Sequence, residues 1–585
     1  MKVFFLHSFL KIILQIQKTI QDDSFLRKGW RFFPDGFRSK IRTFFHSIGM
    51  DEPDYLVALN KIGDELNSYK SVYQHESLKI LYGPSFCIYG PCFIHDRLLS
   101  YALRLQGAQI IPIYCDAIQP SECEFWNGVW MGNQTFKTKC KGCVRKSQKL
   151  WEKNPIPAIR LSKYLQGNEI EEIEKKIECL NEEQWITYVD DGMPFGRWAK
   201  DILLNGNVVG NYKLVPDYHE RGLAHLKNLL LLKVAYERVL DDVKPSRVVS
   251  NNSYYGMFAI LQELCIKKCI PFYSHFEADR QSTWSYAYND NPGNSDFSKP
   301  WKKFSQIPLE NVQKNKIKNW LKGRNSGENM VYDTLVAGKH LVDEFDLSKM
   351  DNKKPTALLA GNVVWDLNSL NTDLIFPDMV SWIVETINWF AHHPEYQLII
   401  RPHPGETFPS IPITEERIET ELLKRGVQLP KNIFLLPTRL NMTVYQLFPL
   451  IQVGLVYTTT VGLEMAASKI PVITSAKAPY RGFGFTFDPS KKQDYFNILD
   501  KILQGKEVVN FESQVDLAYK FLLLYHFHSY TKIDIIDHVW GKPVKLKIKS
   551  AEDLLAGKNK CRDYVLDSII KGLPILAEDR WPPES

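Results

Sequence analysis

The sequence predicts an α/β protein: two doubly wound parallel-sheet domains facing a cleft, preceded by a basic helical extension. Three observations predict it. At 585 residues the chain exceeds what one core holds, and its 44% hydrophobic and 24% charged content is that of a soluble globular protein. Two long stretches alternate short apolar strands with amphipathic helices, the pattern of βαβ units. In the second stretch polar residues gather just after strand ends, where open parallel sheets bind ligands.

The extension, 1–70, comes first. Its opening, MKVFFLHSFLKIILQIQK, is apolar, but Lys11 interrupts it and no A-x-A-like cleavage site follows, which argues against a signal peptide. No stretch reaches the roughly 18 consecutive apolar residues of a membrane span. The first fifty residues hold nine Lys or Arg against three Asp, a net +6 equal to that of the whole chain. The interleaved aromatics of RKGWRFFPDGFRSKIRTFF fit either a surface lying on anionic lipid headgroups or a basic helical pair packed on protein. No other part of the chain continues the basic stripe, so nucleic acid is not an expected partner. The expected location is cytoplasmic, peripheral on the inner face of the membrane under the first of these readings.

The first α/β domain spans 71–290. SLKILYGPSFCIYGPCFIHDRLLSYALRLQGAQIIPIYCD reads as strand, loop, helix and strand from Leu78 to Cys115. A charged helix, Glu169 to Leu180, and a long helix, HLKNLLLLKVAYERVLDDV, follow. A second βαβ unit has a strand ending at Ser250, a helix from about Tyr255 and a strand from Pro271 to Ser274. Ten cysteines in a chain this long do not make a secreted disulfide scaffold. Four of them, Cys115, Cys123, Cys140 and Cys143, either supply thiolates to a structural zinc or stand as unrelated reduced thiols. The closing C-x-x-C favours metal, while the spacing of the first pair is not that of a standard zinc ribbon.

The loop NDNPGNSDFSKPWKK opens a helical linker region, 291–350, that includes the helix ENVQKNKIKNWLKGR. The second α/β domain spans 351–540, and a tail, 541–585, is free to cross back. Within the second domain, PTALLAGNVVWDLN, YQLIIRPHPGE, NIFLLP, VGLVYTTT and IPVIT supply strands, with helices between them. Asn362, Trp365 and Asp366 follow the first of these strands, Arg401 and His403 the second, and Thr458 to Thr460 the fourth. Ends of separate strands thus deliver polar groups to one edge of the sheet, with Trp365 the aromatic nominated for ligand contact.

LVYTTTVGLEMAASKIPVIT carries the chemistry. An apolar strand empties into three threonines and a glycine, Gly462, before a helix of small residues. Unpaired N–H groups at a helix start, with Thr459 and Thr460 as extra donors, suit a phosphate. Glu464, about one turn on, suits the vicinal hydroxyls of a ribose. The same residues also fit an ordinary Thr cap with an early Glu. In RPHPGE the prolines hold Arg401 and His403 at the strand's end, where both can meet phosphate oxygens; a histidine packed under a loop is the other reading. There is no Walker loop, and no G-x-G-x-x-G follows a strand.

The run from Arg401-Pro402-His403-Pro404 through Thr458-Thr459-Thr460, Val461 to Glu464 and Pro471 to Ile473, on to Tyr480 and Gly482, resembles the capsule polysaccharide biosynthesis proteins. These are GT-B glycosyltransferases that include transferases of Kdo from CMP-Kdo. The resemblance is specific over the C-terminal motifs and thin over the first half. It implies that His403 and the threonine turn bind the nucleotide phosphate, that Glu464 binds the ribose, and that Tyr480 lies in the site loop. It implies a CMP-sugar or UDP-sugar donor, a glycan or glycolipid acceptor, and catalysis without a metal. The His-Pro and threonine motifs are also similar to those of bacterial sialyltransferases, which favours CMP. The acidic-acidic-Gly motif of those enzymes matches Asp190-Asp191-Gly192 in order, and by that likeness Asp191 is the general base. Asp-Asp-Gly is equally a common turn. His275 and His95 are the other candidate bases in the first domain.

Two further functions fit the same two-domain plan: another enzyme of phosphorylated sugars, such as an epimerase or a polyol-phosphate polymerase, and a non-catalytic scaffold at a membrane assembly. Retention of Arg401, His403 and Glu464 together speaks against the scaffold.

Overall fold

A computed structural model describes residues 54–69, 78–85, 89–119, 123, 136–293, 295–326, 330–331, 343–365, 372–407, 413–507, 509–539 and 544–585. The basic stretch before residue 54, and with it the membrane-facing reading, lies outside the described residues. The chain divides into two compact units, Met1–Ile62 and Gly63–Ser585. Among the described residues of the first unit is the start of a helix, Asp54–Ser68. Among the described residues no helix is long and apolar enough to cross a membrane.

Two sheets organise the second unit, and both follow the doubly wound order. The first contains β1 (Lys79–Ser85), β2 (Gln109–Tyr114), β3 (Ile159–Arg160), β4 (Arg247–Asn251), β5 (Phe272–Glu277) and β6 (Thr283–Tyr288). β12 (Tyr530–Lys532) completes it, in the order β12-β6-β5-β4-β1-β2-β3. The second contains β7 (Thr356–Ala360), β8 (Gln397–Arg401), β9 (Ile433–Leu435), β10 (Val453–Val456) and β11 (Val472–Thr474), in the order β11-β10-β7-β8-β9. Each parallel run reads 3-2-1-4-5, so each sheet reverses direction between its first and fourth strands, where ligands collect in such folds.

The second sheet is parallel throughout, and burial on both faces explains its strands. TALLA in β7 is buried at every position. Leu358 and Ala360 join the core under the helices Val461–Ala467 and Phe511–Leu522. Ala357 and Leu359 join the opposite core, under Met379–Ala391 and Lys492–Leu503. Asp378 starts the helix at Met379 by accepting from the Ser381 backbone N–H at 2.7 Å.

The first sheet corrects one expectation. β6 pairs antiparallel with β5, and β12 pairs antiparallel with β6, so two antiparallel strands close one edge of a parallel run. TWSYAY alternates weakly and follows β5 after a short turn, which hid it as a strand. The chain returns to this sheet at Tyr530, inside the stretch read from sequence as second domain. On one face the helices Phe195–Asn207, Tyr218–Val243 and Gly256–Lys267 build a core around Trp198, Leu226 and Val248. The remaining strands, β13 (Ile536–Asp537) and β14 (Lys545–Leu546), form a separate ribbon.

Candidate functional site

A cavity of about 340 Å³ lies at the reversal point of the second sheet. Ala360 and Gly361 reach it from the end of β7, Arg401 to Pro404 from the end of β8, and Thr459 to Val461 from beyond β10. Its other wall belongs to the first sheet and the connection between the sheets: Asp279 just after β5, Arg324 of the helix Asn311–Ser326, and Tyr530 at the start of β12. The structure therefore brings Arg401, His403, Thr459, Thr460 and Glu464 to one cavity.

Their roles within it differ. The Arg401 guanidinium, 5% exposed, donates to the carbonyls of Pro437 at 2.9 Å and of Thr438 and Met442 at 3.3 Å. Burial draws it down to about 10, still charged at neutral pH. It thus holds the 437–442 loop while lining the cavity. His403 is freer. The Gly405 N–H donates to its Nδ1 at 3.0 Å, so the neutral ring carries its proton on Nε2 and offers it as a donor. Burial, then Arg401 beside it, hold the imidazole down at about 4, hence neutral at pH 7. A Cβ on Gly405 would stand 2.7 Å from Nδ1, so only glycine lets the backbone approach this closely.

The threonine turn is compact. Asn362 Oδ1 accepts from the Thr458 N–H at 3.3 Å, which places Asn362 in support of the turn. Thr459 Oγ1 accepts from Val461 N–H at 3.5 Å, and no described residue accepts from the N–H groups of Thr459 or Thr460. The helix that follows, Val461–Ala467, has seven residues, so its dipole is small and the donors here are the turn's own N–H and hydroxyl groups. Gly462 and Tyr480 prove to be packing partners: a Cβ on Gly462 would overlap the Tyr480 hydroxyl. That hydroxyl donates to the Thr459 carbonyl at 2.5 Å and ties the turn down from below.

Glu464 is 1% exposed and held from two sides. Arg324 Nε donates to Oε1 at 3.1 Å and the Tyr445 hydroxyl to Oε2 at 2.5 Å. Arg324 also lies 3.4 Å from Asp279 Oδ2, so one guanidinium joins a carboxylate from each sheet. A carboxylate has about four lone-pair sites, so Glu464 retains capacity for ligand hydroxyls. Trp365 does not line the cavity; it is 7% exposed and its Nε1 donates to Thr414 Oγ1 at 2.9 Å. Asp366 lies outside the described residues.

None of the three base candidates from the first domain, Asp191, His275 and His95, lines the cavity. Asp191 occupies the tight turn between Asp190 and Met193 with φ 51°, and its half-exposed carboxylate pairs with Lys267 at 2.7 Å. Asp-Asp-Gly is here the turn residue set that a positive φ selects. His275 is fully buried on β5, its ring 4.1 Å from that of His95. The first-sheet carboxylate that does line the cavity is Asp279. Burial pushes it up, but His526, Arg324 and Arg280 outweigh that and hold it at about 2. Sequence reasoning missed it although it follows β5 directly, the same cue that selected Arg401 and His403. Arg324 gave no such cue, because its helix reads as a linker.

Of the four cysteines, Cys115 is pushed up to about 12 by burial and then by Cys143. Cys140 and Cys143 share the helix Phe136–Leu150, and Cys123 is buried. Among the described residues, the group of three side chains with metal-ligating atoms within 4.8 Å of one another is His95, Asp96 and His275, without a cysteine.

No protein-family model matches the chain, and no curated protein matches it. Solved structures do. A KpsC β-Kdo 2,4-transferase from Thermosulfurimonas dismutans is 10% identical with a TM-score of 0.30, over 47% of this chain and 79% of that one. The spinosyn rhamnosyltransferase SpnG is 9% identical with a TM-score of 0.25, over 76% and 96%. A UDP-GlcNAc 2-epimerase from Neisseria meningitidis is 12% identical with a TM-score of 0.24, over 76% and 98%.

Proposed function

We propose that this chain is a glycosyltransferase of GT-B type. It moves a sugar from a nucleotide-sugar donor to a growing surface polysaccharide or lipid-linked glycan. A CMP-sugar such as CMP-Kdo is the first donor class, a UDP-sugar the second. The observation that carries the reading is the cavity at the reversal point of the second sheet. It joins a neutral His403 donor, the threonine turn and Glu464 on one wall to Asp279 on the other.

Chemically, the bond from the anomeric carbon to the donor phosphate breaks, and its electron pair stays on the phosphate oxygen. His403 Nε2–H and the donors of Thr459 and Thr460 stabilise that charge as it develops. Glu464 accepts from the ribose hydroxyls. The acceptor hydroxyl forms the new bond and passes its proton to the Asp279 carboxylate. Held at about 2, Asp279 is ionised throughout the physiological range yet weakly basic, so its proton transfer comes late, once the attacking oxygen has become acidic. On this reading the basic extension lies against anionic lipid and keeps the enzyme near its acceptor.

The test is incubation with CMP-Kdo or UDP-sugars and a lipid-linked glycan acceptor, followed by mass spectrometry of the glycan. The expected result is an acceptor one sugar heavier together with free nucleotide, and an Asp279→Asn variant with much lower kcat at little-changed donor KM. An unmodified acceptor with every donor contradicts the reading.

A further inference from the structure

His95 and Asp96 sit in the first turns of the helix Gly90–Leu105, which leaves β1, and His275 sits on β5 in register with Asn251, the last residue of β4. All three are at most 2% exposed. Asp96 is a buried carboxylate with no Lys or Arg in ion-pair range among the described residues; its ionic neighbour is His275, with Nε2 3.0 Å from Asp96 Oδ1. Among the described residues, neither Nδ1 of His275 nor Nδ1 of His95 has a hydrogen-bond partner. Two buried imidazole nitrogens, Nδ1 of His95 and Nδ1 of His275, are thus unpaired among the described residues beside a buried carboxylate that only His275 Nε2 faces, an arrangement costly unless something satisfies it.

We propose that His95, Asp96 and His275 bind a divalent transition-metal ion of the zinc class. Tetrahedral ligand bonds of about 2.0–2.2 Å put adjacent ligand atoms about 3.3–3.6 Å apart, so His275 Nε2 and Asp96 Oδ1, 3.0 Å apart, need only a small outward shift. The ligand atoms of all three residues lie within 4.8 Å of one another, close enough for small side-chain shifts to complete the set. Two imidazoles and one carboxylate form a ligand set that zinc takes, and that ferrous iron also takes. The surroundings orient the ligands as metal sites require. The Tyr286 hydroxyl lies 2.6 Å from His95 Nε2 and fixes that ring, leaving Nδ1 to face the ion, while Trp284 stacks on the ring at 3.8 Å. The Tyr82 hydroxyl reaches Asp96 Oδ1 at 3.5 Å. Two positive charges on the ion neutralise Asp96 where no side-chain cation does. None of the three residues lines the cavity, and the ion ties the Gly90–Leu105 helix to β5.

The full chain is stripped with a chelator, titrated with zinc chloride and assayed for bound zinc and melting temperature. One zinc per chain and a higher melting temperature are expected, with both lost in Asp96→Asn and in His275→Gln. A Cys140→Ser/Cys143→Ser variant should keep the ion. Zinc lost in the cysteine variant but kept in His275→Gln overturns the proposal, as does no bound zinc in the native protein. Should the buried variants fail to fold, cobalt substitution of the native protein decides: weak ligand-field bands alone support nitrogen and oxygen ligands. An intense thiolate charge-transfer band places the metal on cysteines and overturns the proposal.

Discussion

Glu406 shows what burial does to a single side chain beside the site. It is fully buried; its Oε1 accepts from the Ile418 N–H at 3.1 Å and its Oε2 from the Thr438 hydroxyl at 3.3 Å. Burial pushes it from the ordinary 4.5 up to about 7. The native state therefore holds a proton that the unfolded state releases, so this contribution is complete below about pH 4.5 and lost as pH rises through about 7. The loss is on the order of 3 kcal/mol. His403, lowered to about 4, works in the other direction: stability falls as pH drops from about 6.5 towards 4. Urea denaturation across this range should show Glu406→Gln losing the decline towards neutral pH while keeping the acid-side fall. An unchanged profile would mean Glu406 is not protonated in the native state. The cavity position of His403 was legible because prolines bracket it, and that of Glu464 because it follows the threonine turn by about one helical turn. The hold of Arg401 on the 437–442 loop was not, since its partners there are backbone carbonyls from another loop.

At the scale of elements, the short helix Val461–Ala467 depends on close contacts at both ends. Gly462→Ala should cost about 1–3 kcal/mol, because the new methyl group overlaps the Tyr480 hydroxyl. Adding Tyr480→Phe should recover part of that loss, and thermal denaturation of the two single variants and the double reads the coupling. No coupling would mean the turn relaxes another way. The Asn311–Ser326 helix contributes through Arg324, which is 12% exposed against Glu464 at 1%. Arg324→Met leaves the Glu464 charge buried and short of a partner, at about 3–5 kcal/mol by equilibrium unfolding. A cost below about 1 kcal/mol would show the pair to be solvated. Every strand of the second sheet was readable from sequence, because its strands are short and apolar and most are buried on both faces. β6 and β12 were not: TWSYAY follows β5 after a short turn with weak alternation, and β12 takes its place from a partner distant in sequence, Tyr530 lying far along the chain from Ser285, with which it pairs.

For the whole molecule, the two sheets meet at more than the cavity. Glu416, from the second sheet's connections, accepts through Oε2 from the backbone N–H groups of Gly210 and Asn211, the latter at 2.7 Å. Glu416→Ala should free the layers to separate, which small-angle scattering would read as a larger radius of gyration without ligand. An unchanged radius would show that the Arg324 bridge alone suffices. The two-domain plan was legible because each half repeats the βαβ pattern, whereas the pairing of Asp279 with the second domain's cavity is a product of assembly. The central claim is that this cavity holds a nucleotide. The measurement that tests it most directly is the melting temperature of the purified chain with CMP, UDP, GDP and ADP, beside His403→Ala and Glu464→Gln. A ligand that binds the folded state must raise it. Stabilisation by CMP, or by UDP, that disappears in both variants is the predicted result; no shift with any nucleotide, or a shift that both variants retain, would contradict it.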